Sequence, residues 1–315
     1  MHYLAGIDIG GSNIRACIIP LENFAKESII KLKESTSKTD ANAIGKQIIR
    51  MIQILLNQNK LDESDVISIN IATAGPLDTE KGIIFNNANL GFKTIQIKEP
   101  IHQAFPSIKC NMINDANGAV LGVHYFEALE EEKDNLVYIT MSTGIGAGVI
   151  VNGHLLRGKD GNAAETGHGL INPSSDIECN CGSKGCWETF SAGSGLSKQI
   201  TASGKRWSTK ELYDFARKGD QVAKKIVKQA NFFNTVGIGL INNYYDPDAI
   251  YIGGAITNDS DLILPVILDN FEKYTIKFTI NRVPIIKITK LGDNIGLLGA
   301  IVLGKYILEK NKILL

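Results

Sequence analysis

The sequence carries no excess of charge of either sign: 33 lysines and arginines are matched by 33 aspartates and glutamates over 315 residues. With no basic surplus there is no electrostatic footprint for nucleic acid, and no nucleic-acid partner is expected. No stretch of about eighteen apolar residues runs uninterrupted, so no membrane span is expected either. The start, MHYLAGIDIGG, has no charged region ahead of its apolar run and does not read as a signal peptide. Low-complexity segments and polar linkers are also missing. The length asks for two domains, which are then expected to share an interlocked boundary rather than a tether. Cysteine is scarce, five in all. Nothing points to an oxidising compartment, so a cytoplasmic, reducing setting is expected. Cys17 and Cys110 lie in apolar runs and read as core residues.

The other three cysteines are concentrated in one stretch, GNAAETGHGLINPSSDIECNCGSKGCWE, from Gly161 to Glu188. Cys179, Cys181 and Cys186 follow His168, and one imidazole with three thiolates is the ligand set of a closed structural zinc site. The C-x-C-x₄-C spacing is tighter than that of common zinc fingers. A disulfide and three incidental thiols remain as alternatives. Glu165 and Glu188 bracket the loop. A metal that pins His168 would fix the backbone carrying both, giving a platform of two carboxylates and an imidazole for a polyhydroxylated ligand. Both could equally be solvated surface glutamates.

Tyr3 to Ile9 reads as a buried strand ending in Asp8-Ile9-Gly10-Gly11-Ser12-Asn13. A dinucleotide-binding glycine turn should open a helix. Here Ile14 to Ile19 continues as a second strand, so the glycines form a hairpin whose backbone N–H groups can face an anion. Thr39 or Asp40 is expected to cap a helix running to about Gln58, with Ile44, Ile48, Ile52, Leu55 and Leu56 on one face. Val66 to Ala72 is a strand, and FNNANLGF (85–92) is an Asn-rich loop. Ile108 to Ile113 is a strand that delivers Asn114-Asp115, with a helix from Ala116. The opening pattern then recurs. Leu136 to Met141 is a strand, Ser142-Thr143-Gly144-Ile145-Gly146 a glycine turn, and Ala147 to Val151 a strand before the hairpin signal Asn152-Gly153. Two copies of strand, glycine turn and strand imply a duplicated core with a ligand between the halves. Later elements are a long helix from Asp220 to about Asn243, strands at Ala249–Ile252 and Val283–Ile288, and a helix at Ile295–Leu308.

Six motifs together, DIGGSN at Asp8, NDAN at Asn114, STGIGAG at Ser142, ETGH at Glu165, CNCGSKGCWE at Cys179 and IGGA at Ile252, resemble the ROK family (repressor, open reading frame, kinase) over essentially the whole chain. The resemblance implies an α/β fold of the two-domain actin-like ATPase (ribonuclease H-like) type, with an active-site cleft between the domains. Residues 1–115, joined by the C-terminal helix 300–315, would form the smaller domain, and 116–299 the larger one with the zinc loop. Asp8, Gly10, Gly11 and Ser12 match the first phosphate motif, with Asp8 near magnesium. Thr143, Gly144 and Gly146 match the second phosphate turn, and Gly253-Gly254 the adenosine motif. Asn114 would bond the sugar and Asp115 would be the general base. Glu165, His168 and Glu188 match sugar-contacting positions, and Gly75 and Asn89 match loops lining the sugar side. His168, Cys179, Cys181 and Cys186 would hold a structural Zn²⁺.

The activity implied is ATP-dependent phosphorylation of a hexose, with glucose as the default, ATP and Mg²⁺ as cofactors, and a homodimer or homotetramer as the assembly. Phosphoryl transfer asks for positioning, a metal on the phosphates and a group that takes the sugar hydroxyl proton. A carboxylate at a strand end suits the last task. From spacing alone Asp115 serves equally well as a helix N-cap, and the resemblance favours the base. Gly169 and Phe92 depart from the family, which usually has a larger apolar residue and a tryptophan there, so both bear on sugar preference. The alternatives are an N-acetylmannosamine or N-acetylglucosamine kinase, a sugar-responsive repressor, and a non-catalytic sugar-binding module. Repressors of this family carry a winged helix-turn-helix before the phosphate motif, and only seven residues precede Asp8. The intact Asp8, Asp115 and Thr143 set argues against lost chemistry.

Overall fold

A computed structural model describes residues 1–87, 89–277 and 283–313. Their contacts gather into two units. The first comprises Met1–Glu127, Arg157–Ala163 and the C-terminal segment from Asp293. Its strands are β1 (Tyr3–Ile9), β2 (Asn13–Pro20), β3 (Ile30–Ser35), β4 (Val66–Thr73), β5 (Leu77–Asp78), β6 (Ile83–Asn87), β7 (Phe92–Gln96) and β8 (Lys109–Asn114). Its helices are α1 (Ala43–Asn59), α2 (Lys98–Ala104), α3 (Asp115–Phe126) and the C-terminal helix (Ile295–Ile313). The main sheet has the order β3-β2-β1-β4-β8, antiparallel through β3, β2 and β1, then parallel from β1 to β4 to β8. A central strand flanked by parallel and antiparallel neighbours is covered on both faces, which is why β1 is apolar almost throughout. The apolar face of α1, Ile44, Ile48, Met51, Ile52, Leu55 and Leu56, is buried against it.

The second unit comprises Ala128–Leu156 and Ala164–Gly292. It contains β9 (Leu136–Met141), β10 (Ile145–Val151), β11 (His154–Leu155), β12 (Ala249–Gly253) and β13 (Ile285–Ile288). Its helices are α4 (Trp187–Ser191), α5 (Gly193–Ala202), α6 (Thr209–Arg217), α7 (Gln221–Tyr245) and α8 (Ser260–Asn270). The sheet order is β11-β10-β9-β12-β13, again two antiparallel pairings followed by two parallel ones. The repeated strand, glycine turn and strand pattern thus marks the same position, the first hairpin, in two sheets of the same topology. Trp187 anchors α4 to α7. Its ring lies where a methyl at Gly237 would meet it at 2.5 Å, and its Nε1 donates to Asn234 Oδ1 at 3.0 Å.

Several boundaries differ from expectation. Neither Thr39 nor Asp40 caps α1: the helix starts after Asn42, and Asp40 Oδ1 instead accepts from the Asn42 N–H at 2.8 Å, closing a turn ahead of it. The 85–92 segment is not a loop throughout but includes the ends of β6 and β7, paired antiparallel with Asn87 opposite Phe92. Asn87 Oδ1 accepts from the Asn89 and Leu90 N–H groups and so tightens that turn. The unit boundary falls after α3 rather than before it. Gly118 and Gly299 let α3 and the C-terminal helix approach so closely that a methyl at Gly299 would lie 2.1 Å from the Gly118 carbonyl oxygen. That contact ties α3 to the first unit.

Candidate functional site

In the first unit the candidate residues gather at the ends of β1, β4 and β8. Gly10 and Gly11 make the turn between β1 and β2, closed by the Gly10 N–H donating to the Asn13 carbonyl at 3.0 Å. Gly11 must be small: a methyl there would stand 2.7 Å from Asn89 Cβ, so the 85–92 turn and the first phosphate motif are in contact. Asp8 is mostly buried and accepts from Arg15 Nη1 on Oδ2 at 3.1 Å. Its other oxygen lies against the start of the C-terminal helix, where a methyl at Gly296 would come within 2.6 Å of Oδ1. Burial raises the Asp8 pKa from 3.8 to about 6, Arg15 opposes the shift, and the nearby Asp115 carboxylate adds to it. A carboxylate beside a phosphate-type turn suits a hard divalent cation such as magnesium.

Asn114 ends β8 and is the N-cap of α3, with Oδ1 accepting from the Ala116 N–H at 2.9 Å and the Asn117 N–H at 3.4 Å. Asp115 is therefore the first helical residue and not the cap, although its Oδ1 also accepts from the Ala116 N–H at 2.9 Å. Burial pushes its pKa up, while hydrogen bonds from the Ala116 backbone and the Asn114 side chain hold it back. Gly75 lies close to Asn114, 3.9 Å separating its would-be methyl from Nδ2, and Asn87 Nδ2 donates to the Gly75 carbonyl at 3.3 Å. Phe92, one of the two departures from the family pattern, packs against the core of this unit.

In the second unit the Ser142-Thr143-Gly144 turn joins β9 to β10, closed by the Ser142 N–H donating to the Gly144 carbonyl at 2.9 Å. Gly146 follows within β10, paired with Thr140. Gly253 ends β12, and Gly254 adopts φ 95°, left-handed backbone that favours glycine, with its would-be methyl 2.4 Å from the Met141 carbonyl oxygen. The turn and the Gly253-Gly254 segment are thus neighbours. Beside them opens a cavity of about 680 Å³, lined by Ser142, Thr143, the start of α5, α6 and the segment from Ala255 to Asp259. Sequence reading missed Gly193, Ser194, Tyr213 and Asp259 on this wall. The Ser-Ala-Gly-Ser-Gly run at 191–195 was the available signal. Arg217 binds Asp259 at 2.8 Å and Asp261 at 2.6 Å, fixing the far rim.

His168, Cys179, Cys181 and Cys186 converge, with one ligand atom from each lying within 4.8 Å of all the others. Tetrahedral zinc with its usual Zn–S and Zn–N bonds would set neighbouring ligand atoms about 3.5–3.8 Å apart. His168 Nδ1 stands 3.6 Å from Cys179 Sγ, and Cys181 Sγ 3.7 Å from Cys186 Sγ, so the four groups fit such an ion. Tight backbone turns shape the loop. Gly185 has φ 75°, and a methyl there would meet the Asn172 carbonyl oxygen at 2.1 Å. Glu165 is exposed just ahead of His168, and Gly169 just after it. Glu188 is not a solvated surface residue: it is buried, its Oε2 accepts from the Ile145 N–H at 3.0 Å, and Cys179 Sγ lies 3.9 Å from Oε1.

Comparison with known proteins agrees with this arrangement. The sequence model of the ROK family matches residues 4–306. A glucokinase of Halalkalibacterium halodurans is 27% identical over 314 residues, covering 95% of this chain and 93% of that protein. The crystal structure of the ROK hexokinase from Thermus thermophilus superposes with a TM-score of 0.86 at 27% identity, covering 98% of this chain and 99% of that one. A ROK family glucokinase from Streptomyces griseus, solved with glucose and AMPPNP, gives 0.73 at 27% identity, covering 96% and 98%. The six motifs, the twofold sheet topology and the family match over nearly the full length lead to one statement: the chain belongs to the ROK family.

Proposed function

We propose that the protein is an ATP-dependent sugar kinase that phosphorylates a hexose, glucose to glucose 6-phosphate. The observation that carries the reading is the division of labour at the end of β8. Asn114 caps α3, which leaves Asp115 as a half-buried carboxylate of raised pKa at a strand end. A general base placed there takes the proton of the sugar hydroxyl as it attacks the terminal phosphorus of ATP. The raised pKa makes Asp115 the stronger acceptor of that proton. Similarity to the glucokinase of H. halodurans and to the glucose and AMPPNP complex supports both substrates.

The remaining roles divide between the units. Gly10, Gly11 and Ser12 offer backbone N–H groups to phosphate, and Thr143, Gly144 and Gly146 form the second such turn. The cavity beside Gly253-Gly254 has room for the nucleoside. Asp8 would hold magnesium, which supplies charge neutralisation on the phosphates, and Arg15 fixes the orientation of that carboxylate. Asn114, Glu165, His168 and Glu188 would contact the sugar, with Gly75 and Asn89 shaping its surroundings. Zinc on His168, Cys179, Cys181 and Cys186 would hold the loop rigid and take no part in the chemistry. A homodimer or homotetramer and a cytoplasmic setting belong to this reading. Among the described residues no helix is long and apolar enough to cross a membrane.

The deciding experiment is a coupled ADP-release assay with ATP and magnesium across glucose, mannose, fructose, N-acetylglucosamine and N-acetylmannosamine. Glucose should give the highest kcat/KM. A preference for either N-acetylhexosamine would replace glucose as the substrate, and no turnover with any sugar would remove the kinase reading.

A further inference from the structure

We propose that Glu188 is a positioning residue for the Ser142-Thr143-Gly144 phosphate turn, so that the cysteine loop supports nucleotide binding as well as the sugar. The inference rests on the kinase reading. Glu188 lies two residues after Cys186, inside α4, and is 8% exposed. Its Oε2 takes the Ile145 N–H at 3.0 Å, the first backbone donor after the turn. The absence of a side chain at Gly144 makes this seat available, since a methyl there would stand 2.5 Å from the same oxygen.

The chain leaving α4 completes the support. The Gly193 N–H donates to the Ser142 carbonyl at 2.8 Å, and the Ser194 N–H to the Thr143 carbonyl at 3.0 Å. The turn is therefore held on both carbonyls by the start of α5 and at its exit by Glu188. A buried carboxylate on a backbone N–H is a charge-assisted bond of the stronger kind. It fixes which way the turn presents its outward face. On the other oxygen, Cys179 Sγ at 3.9 Å puts the same carboxylate beside the metal-type cluster. One side chain thus touches both the turn and the loop.

The test is direct binding, by calorimetry, of AMPPNP with magnesium and, separately, of glucose, to zinc-replete protein whose melting temperature is recorded for each variant. Glu188→Ala should weaken AMPPNP by about tenfold, the scale expected for one charge-assisted hydrogen bond. Glu188→Gln, whose amide oxygen can still accept from Ile145, should restore it to within about threefold of wild type. Gly144→Ala should also weaken AMPPNP, because its methyl collides with the carboxylate. Combined with Glu188→Ala the loss should be less than the product of the two, since the collision partner is gone. AMPPNP affinity unchanged in Glu188→Ala, with glucose binding alone reduced, overturns the inference and leaves the kinase reading standing. If Glu188→Ala does not fold, Gly144→Ala and Glu188→Gln decide: Gly144→Ala binding AMPPNP as wild type does, or Glu188→Gln losing it tenfold, overturns it. Wild-type protein that binds no nucleotide removes both this inference and the kinase reading.

Discussion

Replacing Asp115 by asparagine separates chemistry from folding. The substitution keeps volume, and the amide oxygen can still accept from the Ala116 N–H that Asp115 Oδ1 now binds at 2.9 Å. The helix cap is untouched because Asn114 provides it. What disappears is the ability to take a proton, and with it a half-buried carboxyl group whose pKa desolvation has pushed up. Loss of a general base costs roughly 10²–10⁴ in turnover, or about 2.7–5.5 kcal/mol in the barrier. Removing a carboxyl group whose ionisation desolvation opposes should leave stability equal or slightly higher. Asp115→Asn should therefore melt at or above the wild-type temperature. Its kcat should fall by two to four orders of magnitude, with sugar and ATP KM moving less than about tenfold. The assay is ADP release at saturating sugar, alongside a thermal melt. A folded variant with turnover within about tenfold of wild type would refute the base assignment. Asn114→Ala is the matching control, expected to lose about 1 kcal/mol of stability through the cap.

Five further outcomes are expected. Purified protein should carry about one zinc per chain, Cys181→Ser should lose it by elemental analysis, and full activity in zinc-free wild-type protein would exclude a structural role. His168→Ala should raise the sugar KM more than Cys181→Ser does, because His168 would contact both metal and sugar; equal values would remove it from the sugar site. Gly296→Ala should raise the magnesium concentration needed for half-maximal rate, since its methyl would meet Asp8 Oδ1 at 2.6 Å; an unchanged requirement would show that Asp8 tolerates displacement. Asp8 and Asp115 both have pKa values raised by burial, Asp8 to about 6, so turnover should fall as pH drops through about 6. The same shift means that Asp8 contributes stability only when protonated, below its unfolded value of 3.8, and that this contribution is lost as pH rises through about 6. Without nucleotide or metal, Asp8→Asn should then be more stable than wild type at pH 7–8, by up to about 3 kcal/mol, with the gap closing at pH 4. A gap independent of pH would refute that account.

Much of the sheet framework was legible because buried central strands need unbroken apolar runs. Tyr3–Ile9 and Leu136–Met141 coincide with β1 and β9, and the glycine turns after them sit between antiparallel strands as read. Helix starts were less legible. Asp40 has a cap's chemistry but closes a turn ahead of α1, since an aspartate can bond whichever N–H comes first. The asparagines of 85–92 marked a true turn, but only its centre, because strands on either side can carry polar residues at a sheet edge. At the candidate site, residue types pointed to metal-type and phosphate-type groups. They could not reveal that Glu188 turns inward to Ile145, or that Gly296 leaves room for Asp8. Both depend on close approaches between segments far apart in the chain, which leave no periodic trace in sequence.

The first unit is not continuous in the chain, and this affects how the protein is made. Its sheet and α3 are written by residue 127, yet the helix that packs on β1, β4 and α3 begins only at Ile295. A nascent chain therefore exposes that apolar sheet face while the whole second unit is still being translated. At typical elongation rates the wait is on the order of 10–30 s. During it the half-covered sheet is a surface for chaperones, or for aggregation if none arrive. The second unit has no such debt and can fold as it emerges. Nonsense mutations and proteolytic nicks near the C-terminus should consequently damage the part of the molecule encoded first.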